Sequence, residues 1–118
     1  MLNNSEIILL TVLRQREALY QTHNEFDITR TDLEVLGFAK KKRFFTLYDL
    51  QEFYKHTNIQ QIRRSLKDLT GKNFVQIFSR NPNTKKINYT ISNKGKHVYN
   101  QYAAIILDES YVLSIKTV

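Results

Sequence analysis

Apolar residues recur at helical spacing along most of this chain and at strand spacing in one short stretch. Ile8, Leu9, Val12 and Leu13 form an apolar stripe at three- and four-residue intervals, as in an amphipathic helix. Ser5 is placed to cap it, which predicts a helix over residues 5–21. Residues 22–27 turn polar and predict a loop. The tetrapeptide TRTD at positions 29–32 spaces Thr and Asp as in a capping box. It opens a second helix, with Leu33 and Leu36 inward and Gly37 ending or bending it. TLYD at positions 46–49 repeats that spacing and predicts a short third helix with Leu47, Leu50 and Tyr54 inward. TNIQ at positions 57–60 supplies another box. Two short helices joined at residues 55–57 make a helix-turn-helix.

On a wheel of residues 58–72, Ile59, Ile62, Leu66 and Leu69 fall within about 80° of arc. Opposite lie Thr57, Gln60, Gln61, Arg64 and Lys67, with Asn58 at the helix start and Arg63 on the flank. Gln and Arg can make bidentate hydrogen bonds to adenine and guanine edges, and the first turns are what a recognition helix inserts into the major groove. A plain solvated helix would more often intersperse Glu with Lys, and here only Asp68 is acidic. After Gly71, read as a helix stop, the period becomes two. Val75 and Ile77 alternate with Gln76 and Phe78, then Ile87, Tyr89 and Ile91 with Asn88 and Thr90, which predicts a β-hairpin. Its tip holds Arg80, Asn83, Thr84, Lys85 and Lys86 around Pro82, turn residues with cations to meet phosphates. An ordinary exposed tip, its Lys guarding a sheet edge, is the competing reading. A last helix, from Ser92 to about Leu107, puts Val98, Tyr102, Ile105 and Ile106 on one side.

These elements make a mainly α (α+β) fold, a winged helix-turn-helix with a two-stranded β-wing. Its 118 residues form one domain, since a chain of this length supports a single core. Charge then narrows the function. The net charge is +7, and it is unevenly placed. Residues 1–38 carry three basic and six acidic groups, whereas residues 56–86 carry seven basic and one acidic. The run KKKR at positions 40–43, with Lys41 and Lys42, must be solvated or bound to an anion. A middle third this basic suits a phosphate-binding face.

Other classes find little support. The longest aliphatic run, residues 7–10, is too short to span a bilayer. The start shows no charged n-region before an apolar h-region, so no signal peptide is expected and a cytoplasmic location is. There is no cysteine, and His23, His56 and His97 lie in separate elements, so neither metal nor cofactor is expected. No Gly-rich loop or nucleophile elbow points to an enzyme.

The segment ISNKG at positions 91–95 resembles the Leu-Thr-x-x-Gly step of the MarR family of winged-helix regulators, and secondarily of SarA-type proteins. The step from Leu69 to Phe74 and Val75 is similar to that family's leucine, short loop and strand start, and the resemblance covers residues 28–100. At the wing, where the family carries Asp-x-Arg, this chain has Asn83, Thr84 and Lys85. The resemblance implies a homodimer held by the first and last helices (residues 1–24 and 92–118) around a DNA-binding lobe at residues 28–91. Ile8, Val12, Tyr102, Ile105 and Ile106 would form the interface, with more apolar surface from YVLSI at positions 111–115. The alternative is that both helices complete one monomeric core. The resemblance makes a pocket between the dimer helices and the lobe conceivable, but no convergent polar cluster marks one, so a small-molecule effector stays unknown.

The expected function is sequence-specific binding of a palindromic duplex by a homodimeric transcription regulator, a repressor occluding a promoter. A DNA-binding accessory of a plasmid, phage or transposon would use the same face, for partition, replication or transfer. A protein-interaction module is a third reading. It leaves the outward Arg64 and Gln60 without a nucleic-acid partner.

Overall fold

The computed structural model describes residues 2–107; the YVLSI segment lies outside them. Along these residues run α1 (Asn4–Phe26), α2 (Arg30–Lys41), α3 (Leu47–Phe53), α4 (Ile59–Gly71), β1 (Val75–Arg80), β2 (Ile87–Ile91) and α5 (Asn93–Ile106). β1 and β2 form one antiparallel sheet. The fold is mainly helical with a two-stranded wing, as expected. Among the described residues no helix is long and apolar enough to cross a membrane. Among the described residues two compact units are present, residues 29–99 and the two ends, 2–28 with 100–107.

In the unit formed by the ends, α1 departs from expectation at both termini. Its cap is Asn3 rather than Ser5, the Asn3 side chain accepting the Glu6 N–H at 2.8 Å. The helix does not stop at Gln21 but runs through the stretch read as a loop. Thr22 is buried, and its hydroxyl donates to the Ala18 carbonyl at 2.6 Å. The polar side chains around it sit on the helix's solvated side. Polarity alone does not break a helix; the break comes at Asp27, which adopts φ 55° and donates its N–H to the His23 carbonyl. The Arg14 guanidinium donates to the Ile106 carbonyl at 2.8 Å, tying α1 to the end of α5.

In the other unit, α2 carries the capping box read from TRTD, with Thr29 and Asp32 bonded reciprocally. Gly37 does not end it, since the helix runs on to Lys41. An added Cβ there would stand 3.0 Å from the Tyr99 ring, so the glycine admits an aromatic neighbour. The core gathers Leu33, Val35 and Leu36 from α2, Leu50 from α3 and Ile62, Leu66 and Leu69 from α4, with Phe45, Phe74, Val75, Ile91 and Val98. Each such side chain contributes roughly 1.5–3 kcal/mol by leaving water. Phe38 packs edge-on against Phe45 and contacts Phe53 and Tyr54. Leu47 is only half-buried. Tyr54 lies just past α3, where its hydroxyl donates to the Glu34 carbonyl at 2.7 Å. Burial, then the nearby Glu34 and Tyr99, push that phenol up to about 12.

Gly71 is the last residue of α4 but not the reversal. Asn73 takes φ 65°, and the Phe74 N–H then returns to the Leu69 carbonyl at 2.9 Å. Asn tolerates this left-handed conformation through its short polar side chain. The ISNKG step has a definite physical content. Ser92 accepts the Gly95 N–H at 3.0 Å, and a Cβ on Gly95 would lie 2.1 Å from the Phe74 carbonyl oxygen. Only glycine lets the first turn of α5 close on the start of β1.

Candidate nucleic-acid interface

Local bonding sets α3 and α4 as a helix-turn-helix. Thr46 and Asp49 close the box that starts α3. The Asp49 carboxyl is also 3.5 Å from the Lys42 ammonium. Burial raises its pKa, but the Thr46 N–H and the Lys42 charge outweigh that and hold it below 3.8. In the turn, the Thr57 N–H donates to the Tyr54 carbonyl at 3.0 Å. The expected Thr57–Gln60 capping box does not form. Asn58 is the cap, its side chain accepting the Gln60 N–H at 2.8 Å. Asn bonds readily to the backbone two residues on, which moves the helix start one residue later.

The two faces of α4 fall as its periodicity predicts. Ile62, Leu66 and Leu69 are buried and Ile59 is half-buried, while Gln60, Gln61, Arg63, Arg64 and Lys67 are exposed. Asn58 is exposed and Thr57 half-buried. Ser65 was not expected on the inner face. It is buried, and its hydroxyl donates to the buried Asp32 carboxylate. The wheel leaves Ser65 beside the apolar arc, but no sequence pattern names Asp32 as its partner.

The wing holds a second unpredicted feature. A bulge falls between Ile77 and Ser79, so period-two alternation ends there. Continued alternation would turn residue 79 toward α4 and Arg80 away. The extra residue, Phe78, shifts the register, Arg80 pairs with Ile87, and both line a groove of about 340 Å³ against α4. Leu66, Ile77, Ile87 and Tyr89 also line this groove, and its charged side chains are Arg63, Lys67 and Arg80. Phe78 sits 61% exposed, ring centroid 4.4 Å from Phe44. Phe45 and Tyr89 exchange backbone bonds at 3.0 and 2.7 Å, a single antiparallel bridge that ties the segment before α3 to the wing.

At the tip, the Asn81 side chain accepts the N–H groups of Asn83 and Thr84 at 2.9 and 3.2 Å. Lys85 takes φ 57° and donates its N–H to the Asn81 carbonyl at 2.8 Å. Asn83, Thr84, Lys85 and Lys86 are all exposed. The structure therefore brings Arg63, Lys67 and Arg80 together around one groove, with Gln60, Gln61 and Arg64 on the exposed side of the same helix. Lys41 and Lys42 are also exposed, Lys41 with its ammonium 5.8 Å from the Phe53 ring centroid and Lys42 3.5 Å from the Asp49 carboxyl.

Of the dimer candidates, Ile8 and Val12 of α1 are exposed and Tyr102, Ile105 and Ile106 of α5 are half-buried. All five belong to the unit built from the ends of the chain.

Helix-turn-helix, two-stranded wing and flanking helices define a winged-helix protein. Within that class the structure is similar to MarR-family regulators. Wild-type MarR from E. coli, in its apo form, is 18% identical, with 100% of this chain and 87% of that one covered at a TM-score of 0.68. A mutant MepR from S. aureus bound to an oligodeoxyribonucleotide is 16% identical over 100% of this chain and 86% of that one, with a TM-score of 0.74. YusO from Bacillus subtilis is 17% identical over 94% and 84%, at 0.68. A mutant MarR complexed with operator DNA also matches, at 18% identity over 93% and 77%, with a TM-score of 0.64. No protein-family model matches the chain, and no curated protein matches it in sequence. The likeness is one of fold.

Proposed function

We propose that this chain is a cytoplasmic, sequence-specific double-stranded DNA-binding protein, a homodimeric transcription regulator that represses by occupying a palindromic site. One observation carries the reading. The exposed face of α4 offers Gln60, Gln61, Arg63, Arg64 and Lys67, and the bulge turns Arg80 of the wing toward that same helix. Among the described residues no carboxylate stands within ion-pairing distance of Arg63, Arg64, Lys67, Arg80, Lys85 or Lys86. Their charge is available to phosphates. Gln60, Gln61 and Arg64 read base edges in the major groove, while Arg63, Lys67, Arg80, Lys85 and Lys86 hold the backbone. Asn58, Thr57, Asn83 and Thr84 add polar contacts at the helix start and wing tip. The DNA-bound MepR and MarR structures support this placement by their shared fold.

Residues 28–91 act as the DNA-binding lobe and the terminal helices as the dimerisation element. Ile8, Leu9 and Val12 of α1 stand 65%, 59% and 46% exposed. A second copy that covers them removes apolar surface from water. Two-fold symmetry then sets the half-sites about 34–36 Å apart, one helical turn.

The test is selection of bound duplexes from a random pool by the unmodified protein, followed by footprinting and sedimentation. The expected result is one palindromic site protected by a dimer, and transcription from a promoter overlapping that site falls when the protein is added. Failure to enrich any duplex would overturn the reading.

A further inference from the structure

Ser65 lies on the inner face of α4, where the other buried residues are Ile62, Leu66 and Leu69. Its hydroxyl donates to Oδ1 of Asp32, and the two residues are only 4% and 3% exposed. Asp32 also serves the start of α2. Its Oδ2 accepts the Thr29 N–H at 3.0 Å, and its own N–H donates to the Thr29 hydroxyl at 3.2 Å. One carboxylate therefore joins the first turn of α2 to the middle of α4. The positive end of the α2 dipole favours the charge there.

Apolar contact is non-directional. Ile62, Leu66 and Leu69 hold α4 at its depth in the core and turn its apolar stripe inward, and a bond of fixed direction can set the rotation more finely than that stripe does. A hydrogen bond is directional. On a helix about 5–6 Å in outer radius, a rotation of about 20° displaces an outward side chain by about 2 Å. Recognition geometry tolerates about 0.5 Å.

We infer that Asp32 and Ser65 are positioning residues that set the rotation of α4 and, through it, the sequence selectivity of the face bearing Gln60, Gln61 and Arg64. The inference rests on the DNA-binding function proposed above. It assigns selectivity to two buried residues that touch no DNA.

The probes are a duplex selected from a random pool by the unmodified protein and a scrambled duplex of equal length. Ser65→Ala removes only the hydroxyl and inserts the strongest helix former. Its affinity for the selected duplex should fall about tenfold, the size of one base contact weakened as the face turns. Affinity for the scrambled duplex, its salt slope and the sedimentation coefficient should stay as they were. Asp32→Asn keeps the pair bonded with its polarity reversed, the amide oxygen facing Thr29 and the amide NH₂ donating to Ser65. Its selectivity should remain within about threefold of the unmodified protein, and the double variant should behave as Ser65→Ala. A Ser65→Ala protein that melts earlier yet keeps its selected-to-scrambled ratio would reduce the pair to a packing contact and overturn the inference. So would equal weakening on both duplexes. If the unmodified protein prefers no duplex, the DNA-binding reading itself fails, and this inference with it.

Discussion

Helix α4 is sharply divided into an apolar and a polar side, whereas α1 leaves apolar and charged side chains alike in water. α4 buries Ile62, Leu66 and Leu69 and leaves out Gln60, Gln61, Arg63, Arg64 and Lys67. α1 buries Leu10, Ala18 and Thr22 and leaves out Ile7, Ile8, Leu9 and Val12. Water satisfies the first face fully, so it needs no partner and attracts one through charge. The second face forgoes roughly 25 cal/mol for each Å² of apolar surface left wet, so covering it favours association. The contrast separates two modes of assembly. Contact through α4 should weaken with salt, whereas contact through α1 should be almost indifferent to it.

The largest expected effect tests that separation directly. If the proposed dimer makes about 6–10 phosphate contacts, DNA affinity should fall roughly 10³–10⁵-fold between about 50 and 200 mM salt. The dimer, followed by sedimentation over the same range, should hold together. A flat DNA response would remove the electrostatic reading of α4. Next in size, Ile106→Glu places a charge among the proposed interface residues. Folded monomers should result, with site affinity lower by roughly 10²–10⁴ because the second half-site contact is no longer linked. An unmodified protein that sediments as a 14.0 kDa monomer and binds one half-site tightly would refute the assignment of α1.

Between the α4 face and the wing tip, reading and holding should come apart. Arg64→Ala and Gln60→Ala should each cost about 1–3 kcal/mol on the best site and relax its sequence preference. Lys85→Ala and Lys86→Ala should weaken all duplexes alike and lower the salt slope by about one each. The reverse pattern would exchange the roles of helix and wing. The smallest effect touches neither face. Thr46→Ala breaks the box of α3 and should lower unfolding free energy by about 1 kcal/mol in a denaturant titration, leaving the dimer intact.

Local chemistry was legible in this sequence wherever a signal spans a few neighbouring residues. The boxes at Thr29 and Thr46 formed as spaced, because cap and acceptor lie three residues apart on one turn. The buried stripe of α4 and the pairing of β1 with β2 followed from their periods. Where two local options were nearly equal, the reading slipped by a residue or two. Asn3 displaced Ser5, Asn58 displaced Thr57 and Asn73 displaced Gly71, each an Asn that bonds the backbone or takes a left-handed φ at little cost. The polar stretch after Gln21 looked like a loop because polarity marks exposure, and an exposed helical face is equally polar.

The sequence by itself determined the order of the elements, the amphipathic sides of α4 and the concentration of charge in the middle third, since each depends on spacing along one stretch of chain. Only the tertiary structure decided that Arg80 turns toward α4, because a single bulged residue, Phe78, reverses every side chain after it. It alone joined Asp32 to Ser65, and set Gly37 against Tyr99 and Gly95 against Phe74. Those partners lie tens of residues apart, and a pairing across that distance is fixed by how the elements pack, which no local period encodes.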